Sequence, residues 1–323
     1  MHSFKDLLEK FEEKFSERIF PGSPANLYDP AQYILQLGGK RLRPVLCLMG
    51  NELFNDLTED AYSVAVAVEL FHNFTLVHDD IMDEAPLRRG KPTVHKTFGE
   101  DSAILAGDVM LIQSYLQINE VNDRFLKRIV HIFSKTAREV CEGQQLDMDY
   151  AALPLQEVGM DAYLHMIALK TSVLLAGSLQ MGGVLGGGSE GNLMHLYSFG
   201  KNLGIAFQIQ DDYLDAFGDP GKTGKQAGGD ILVNKKTFLL IKAWELGNQK
   251  QRQQIEVLLN NNDPEKVEKM LCIYHGLKLD QWAKEEKSRF MAKAGECLEN
   301  VAVLSSRKRE LENLVAMLLD REN

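Results

Sequence analysis

Apolar residues return at three- and four-residue steps along almost the whole chain, and period-two alternation over five or more residues is hard to find. That spacing predicts helices over roughly 3–17, 28–38, 43–54, 58–84, 99–119, 122–146, 161–183, 189–217, 235–246, 249–260, 264–275, 277–298 and 302–320. Thr58 with Asp60, Asp161, and Asn262-Asp263-Pro264 mark three of the starts. Breakers set off three longer loops at 85–92, 147–160 and 218–234. No Pro- or Ser-rich linker and no solenoid repeat interrupts the pattern, so the expectation is an all-α, single-domain helical bundle spanning 1–323.

A chain of 323 residues can bury a sizeable core, and its 25% charged and 45% hydrophobic residues exclude a disordered or a membrane-embedded protein. The net charge of -10 argues against a nucleic-acid partner. The N-terminus has no basic segment followed by an apolar one. The most apolar stretch, 172–185, is short for a membrane span and is broken by Gly177, Gly182 and Gly183. A soluble, cytoplasmic protein with no transmembrane segment is expected. Cys47, Cys141, Cys272 and Cys297 lack CxxC spacing and sit in apolar-periodic context, which reads as buried free thiols.

Two acidic clusters of one pattern change the picture: Asp79-Asp80-Ile81-Met82-Asp83 and Asp211-Asp212-Tyr213-Leu214-Asp215. In each, the first and last Asp are four residues apart and share a helix face, with the middle Asp beside them. Like charges at about 4 Å repel by roughly 4 kcal/mol at an effective dielectric near 20, so such a claw wants a cation. Few oxygen ligands with room for water and phosphate suit Mg²⁺ better than Zn²⁺ or Ca²⁺. A solvated acidic face is the competing reading for either cluster alone. Both clusters, however, follow apolar runs (Phe74, Leu76, Val77; Ile205, Phe207, Ile209), where core helices end.

The loops supply the opposite charge. Pro86-Leu87-Arg88-Arg89-Gly90-Lys91-Pro92 follows the first claw; Lys222, Lys225, Lys235 and Lys236 follow the second; Gly38-Gly39-Lys40-Arg41-Leu42-Arg43-Pro44 stands upstream. Arg forks match phosphate oxygens and Lys adds point charge, so a diphosphate carried with Mg²⁺ fits the constellation. Solvated turns remain the reading for Lys91, Lys96, Lys222 and Lys236. The segment Gly218-Asp219-Pro220-Gly221-Lys222-Thr223 is not a Walker A loop, because Ala216 stands where its first glycine belongs and no strand precedes it. Gly186-Gly187-Gly188 reads as a helix stop. No HxxxH or HExxH pair and no nucleophile elbow is present.

Taken together, Gly-Gly-Lys-Arg-Leu-Arg-Pro at 38–44, His-Asp-Asp-Ile-Met-Asp at 78–83 with Arg88-Arg89-Gly90, Lys170-Thr171, and Phe-Gln-Ile-Gln-Asp-Asp-Tyr-Leu-Asp at 207–215 resemble the trans-isoprenyl diphosphate synthases in order and spacing. The resemblance implies the isoprenoid synthase fold with a deep central cavity, a homodimer, and chain elongation of an allylic diphosphate by isopentenyl diphosphate. It assigns Asp79, Asp80, Asp83, Asp211 and Asp215 to a Mg²⁺ cluster on the allylic diphosphate. Arg88, Lys170, Lys225 and Lys235 would contact that diphosphate. Lys40, Arg43, His72 and Arg89 would bind isopentenyl diphosphate, and Thr171 and Gln208 would lie beside the developing cation. No side-chain nucleophile is required, and the basic loops make sense as lids that exclude water.

Product length is read from the residues ahead of the first claw. Its spacer is the short one, Phe74 stands five and Thr75 four positions before Asp79, and Phe71 lies a turn further away. A ring there would stop the growing tail by steric exclusion, which resembles the archaeal-type geranylgeranyl diphosphate synthases; farnesyl diphosphate is the next expectation. Ordinary helix packing competes for Phe71 and Phe74 on equal terms. A terpene cyclase would not need Lys40, Arg43 or Asp211-Asp212, and a noncatalytic subunit of a heteromeric synthase would lose a claw.

Overall fold

The structure, a computed structural model, describes residues 1–15, 19–218, 228–261 and 263–319. Helices follow one another in the order α1 Phe4–Phe15, α2 Ala25–Gln36, α3 Leu42–Glu52, α4 Glu59–Met82, α5 Val94–Phe98, α6 Glu100–Asn119, α7 Asp123–Ala152, α8 Met160–Ile167, α9 Val173–Leu185 and α10 Glu190–Phe217. The order continues with α11 Gly229–Leu232, α12 Phe238–Leu246, α13 Gln249–Asn260, α14 Lys266–Gly276, α15 Leu279–Glu299 and α16 Ser305–Leu319. Among the described residues the only strands are β1 Leu87–Arg88 and β2 Lys91–Pro92, an antiparallel pair. Arg89 and Gly90 turn between them with φ of 53° and 74°, the left-handed pair that matches the twist of a two-residue hairpin.

Several expected boundaries move for local reasons. The polar run after Leu146 stays helical to Ala152, with Gln145 Nε2 donating to Asp149 Oδ1 one turn on at 2.8 Å; the loop expected at 147–160 is therefore much shorter. Pro154 is the true breaker there. Asp161 lies in the first turn of α8 behind Gly159, not at the cap. Pro264 precedes α14, where Asp263 accepts from the Glu265 amide at 2.8 Å, and Asn262 lies outside the described residues. Thr58 does cap α4, accepting from the Ala61 amide at 3.2 Å.

The chain divides into two compact units, the first formed by Met1–Ala137, Gly177–Tyr197 and Val301–Leu311. Its central helix is α4, which buries Val64, Ala65, Val68, Leu70, Phe71 and Val77. Gly182 admits the backbone of α3: a Cβ there would stand 1.9 Å from the Cys47 carbonyl oxygen. Gly50 is equally tight against the Leu179 carbonyl, at 2.4 Å. These contacts bear on the apolar stretch, because Met160–Leu185 is helical throughout and, by length and composition, could cross a membrane. It is 67% buried inside the protein, and its glycines seat neighbouring helices, so the core accounts for its hydropathy.

An ion pair lies inside this unit. Arg41, in the left-handed region (φ 47°) at the start of α3, is buried; its Nη1 meets Glu69 Oε1 at 2.5 Å and its Nη2 donates to the Leu35 carbonyl at 2.8 Å. Asn73 Nδ2 donates to the same Glu69 oxygen at 2.9 Å. The middle basic residue of the Lys-Arg-Leu-Arg run thus faces inward as a structural charge.

The second unit comprises Arg138–Ala176, Ser198–Asn300 and Glu312–Asn323. Its core gathers Tyr163, Ile209, Phe238, Leu239, Leu240, Tyr274 and Leu279, with Trp282 stacked on Phe238 at 4.2 Å. Buried Lys266 donates to Asn234 Oδ1 at 2.5 Å and fastens the segment just before Lys235. The thiols differ from expectation: Cys47 is buried, Cys141 and Cys272 are exposed, and Cys297 is intermediate, all four being free. Burial pushes the Cys47 thiol up to about 12, which makes it inert.

Removing one partner of the Arg41–Glu69 pair strands a buried charge. Arg41→Met is expected to cost about 3–5 kcal/mol in urea unfolding, and Arg41→Met with Glu69→Leu to recover most of it. A double variant no more stable than the single one would show that the pair is not a closed unit.

Candidate active site

The first acidic cluster terminates α4. Asp83 is the C-cap, and its amide donates to the Asp79 carbonyl at 2.8 Å. Carboxylates sit badly at this end of a helix, where the macrodipole is already negative. Asp80 escapes the conflict by turning inward: it is 1% exposed, and Arg88 of β1 grips both its oxygens, Nε to Oδ2 and Nη2 to Oδ1, each at 2.7 Å. Asp79 is half-buried and Asp83 exposed, on one face of the helix.

The second cluster follows the same plan in the other unit. Asp212 is 4% exposed and accepts from Tyr163 Oη at 2.5 Å, Gln208 Nε2 at 2.9 Å and the Phe238 amide at 3.3 Å. Burial pushes its carboxyl up to about 6 against the opposing pull of Lys235 and the Tyr163 and Gln208 hydrogen bonds. Burial, then Asp212 itself, holds the Tyr163 hydroxyl well above its ordinary range. Asp211 is exposed, and Asp215 Oδ2 accepts from the Asp230 amide at the start of α11 at 3.0 Å.

Each cluster therefore presents an outer i, i+4 pair and ties down its middle carboxylate. Among the described residues, no three His, Cys, Asp or Glu side chains converge to hold a metal unaided. The outer pairs fit Mg²⁺, which keeps several waters and takes one or two carboxylates with substrate phosphate. Asp79 and Asp83, and Asp211 and Asp215, are the residues that could hold it. Asp80 and Arg88, expected on metal and diphosphate, form an ion pair with each other.

The basic residues of the first unit gather around His72. Arg43 Nη1 lies 3.1 Å from His72 Nε2, and Arg89 reaches the Gly38 carbonyl of the upstream loop. Gly39, at φ 146°, accepts the close approach: a Cβ there would stand 2.9 Å from Arg89 Nη2. Burial first, then the charges of Arg43, Arg89, Arg88 and Arg41, hold His72 well below its usual range, so the ring is neutral and can accept from Arg43. Lys40 is exposed at the edge of the same loop. Such a concentration of guanidinium groups has the chemistry to receive an anion.

In the second unit Lys170 and Thr171 lie on a π turn, Ala168–Ser172, between α8 and α9. Two glycines bracket it: a Cβ on Gly143 would stand 2.2 Å from the Lys170 amide nitrogen, and one on Gly204 2.6 Å from Ser172 Cα. The widened turn is a common device at functional sites. Lys170 Nζ meets Asp147 Oδ2 at 2.6 Å. Thr171 Oγ1 donates to Gln208 Oε1 at 3.4 Å, so Thr171, Gln208, Asp212 and Tyr163 form one chain of hydrogen bonds. Lys235 lies 3.6 Å from Asp230, while Lys225 and Lys222 fall outside the described residues. Asp147 and Tyr163 carried no motif signal, and Asp147 was masked by the polar run that reads as loop.

Of the length-setting candidates, Phe71 is fully buried between Phe74 and Phe133, each at 5.5 Å. Phe74 is half-buried, with its ring 4.8 Å from His78, and Thr75 Oγ1 donates back to the His72 carbonyl at 2.8 Å.

Comparison with known proteins extends these local observations to the whole chain. Residues 24–277 match the model of the family described as polyprenyl synthetase. A short chain isoprenyl diphosphate synthase of Methanothermobacter thermautotrophicus is 34% identical over 328 aligned positions, covering 100% of both chains. A geranylgeranyl pyrophosphate synthase of Geoglobus acetivorans is 44% identical over 75% of this chain and 76% of its own. A crystal structure of a geranylgeranyl pyrophosphate synthase superposes with a TM-score of 0.93 at 41% identity, covering 100% of both. The fold is the all-α isoprenoid synthase fold, and the chain belongs to the polyprenyl synthetase family of trans-prenyltransferases.

Proposed function

We propose that this enzyme is a Mg²⁺-dependent head-to-tail prenyltransferase that joins isopentenyl diphosphate to an allylic diphosphate, with the twenty-carbon geranylgeranyl diphosphate as favoured product. The observation that carries the reading is the outward i, i+4 carboxylate pair at the C-terminal end of both α4 and α10, each with its middle aspartate withdrawn. Bound between such carboxylates and a diphosphate, Mg²⁺ supplies the positive charge that stabilises the leaving group.

The chain's own residues do the remaining work. Lys170, Arg88 and Lys235 bring cationic charge to the allylic diphosphate, with Lys225 in the same role; Asp147, Asp80 and Asp230 hold the first three near their carboxylate partners beforehand. Arg43, Arg89 and Lys40 take the second diphosphate, and neutral His72 orients Arg43 without adding a competing charge. Thr171 and Gln208 present oxygen to the electron-poor allyl carbon, with Gln208 aligned by Asp212. Asp79, Asp83, Asp211 and Asp215 hold the metal. A fifteen-carbon product is the second reading, favoured by the large half-buried ring of Phe74 so near the first cluster.

The proposed assembly is a cytoplasmic homodimer. Free exposed thiols at Cys141 and Cys272 suit a reducing compartment. On α6, Leu105, Ile112 and Leu116 are 55%, 59% and 50% exposed and recur at helical spacing on one face, with Ile104 alongside. A second copy of the chain is the occupant this stripe fits.

Four outcomes test the reading. Incubated with Mg²⁺, isopentenyl diphosphate and an allylic primer, the protein should yield, after dephosphorylation, a twenty-carbon alcohol by mass spectrometry; Asp79→Asn should lower turnover by about 100-fold or more with the circular dichroism spectrum unchanged. Nearly full activity in that variant would overturn the metal assignment. Phe74→Ala should lengthen the product, and an unaltered distribution would remove Phe74 from the path of the tail. Ile112→Glu with Leu116→Glu should give a monomer in sedimentation analysis, whereas an unchanged mass would place any interface elsewhere.

A further inference from the structure

His78, immediately before the first aspartate of the α4 cluster, is held on two flanks. Its imidazole lies across α6 at the one position where that helix has no side chain: a Cβ on Gly107 would stand 2.2 Å from Nε2 and 2.5 Å from Cδ2. Nε2 is 3.1 Å from the Ile104 carbonyl, so it carries the proton and donates; Asp108 Oδ1 is 3.9 Å away. The opposite flank of the ring is closed by Phe74, edge-on at 4.8 Å.

The contact does not stop at Phe74. Phe74 packs on Phe71 at 5.5 Å, Phe71 on Phe133 at 5.5 Å, and Phe133 on Tyr115 at 5.2 Å, whose hydroxyl meets Ser134 Oγ at 3.2 Å. Five rings form a continuous file within the first unit. One end is anchored by a hydroxyl pair, the other by an imidazole seated on a glycine. Phe74 is the half-buried member between the fully buried Phe71 and the seated His78. Its ring touches both neighbours, so a shift of His78 or Phe71 bears directly on it, and closely packed side chains transmit displacement.

We propose that Gly107 and His78 are positioning residues for product length: the glycine seat on α6 fixes the imidazole, and the imidazole fixes the Phe74 ring that limits the growing tail. The assignment rests on the prenyltransferase reading above. Neither residue touches the reacting atoms; both act through Phe74.

Gly107→Ala cannot keep His78 where it is, and His78→Ala empties the same place, so their effects must not add. The ratio of twenty-carbon to longer and shorter products should change by about tenfold in either single variant, the discrimination that a methylene commands in an apolar pocket. The double variant should match His78→Ala alone. Leu196→Ala, a core truncation on α10 in the same unit, should lower stability and leave the ratio alone. A wild-type ratio in folded Gly107→Ala, or additive effects, would overturn the proposal; should Gly107→Ala not fold, an unchanged ratio in His78→Ala does so. A second readout needs no turnover: 4-fluorophenylalanine at position 74 should show a ¹⁹F resonance that shifts in His78→Ala and Gly107→Ala, and an unmoved resonance would refute the coupling. If wild-type protein made no prenyl product, the functional reading would fall while the resonance still judged the seat.

Discussion

Three carboxylates within one turn at the C-terminal end of a helix repel one another and the helix's last carbonyls. This conflict, met twice in the chain, organises the local structure around both clusters. In each case the middle aspartate is withdrawn and given dedicated donors. For Asp80 these come from one guanidinium, which requires the β1–β2 hairpin to return Arg88 to the helix end. For Asp212 they come from a phenol, a carboxamide and a backbone amide on three different elements. What remains in each cluster is an outer i, i+4 pair of carboxylates, the arrangement that the proposed function assigns to a shared cation.

The two solutions differ in the donors they use, and that difference has chemical sense. Asp80 is answered by a full positive charge, the Arg88 guanidinium, through two hydrogen bonds of 2.7 Å. Asp212 is answered mainly by neutral donors, and burial raises its carboxyl to about 6. Its hydrogen bond to Gln208 leads on to Thr171 and the π turn, so the withdrawn aspartate also orients polar atoms. The same economy operates around His72, where burial first, and then the neighbouring guanidinium groups, keep the imidazole neutral and fit to accept. In both units burial sets the protonation of the residue that does the positioning.

Periodicity reveals helices because burial on one face imposes it, and the acidic clusters were legible because their spacing has one geometric meaning on a helix. Choosing the partner of a given charge is a different problem. Nothing in Lys40-Arg41-Leu42-Arg43 says that Arg41 turns inward to Glu69, since the left-handed backbone at Arg41 decides it. Nothing in the sequence separates Asp80 from Asp79 either; their directions differ by the 100° step of the helix, and only the core's location converts that into burial. The π turn was hidden because the residues its backbone approaches, Gly143 and Gly204, lie far from it along the chain. Asp147 was hidden because a polar helical turn near a breaker resembles a loop.

Packing and steric exclusion were posed as competing readings of Phe71 and Phe74, and the ring contacts allow both to hold at once. An unsupported ring beside a growing hydrocarbon tail would swing aside at little cost and set no limit. A ring wedged between a fully buried neighbour and a seated imidazole resists, because displacing it forces several contacts at once. On the proposed function, Phe71 would contribute by packing so that Phe74 could contribute by exclusion. On this view the sharpness of product length belongs to the file of rings behind Phe74 as much as to the size of Phe74 itself.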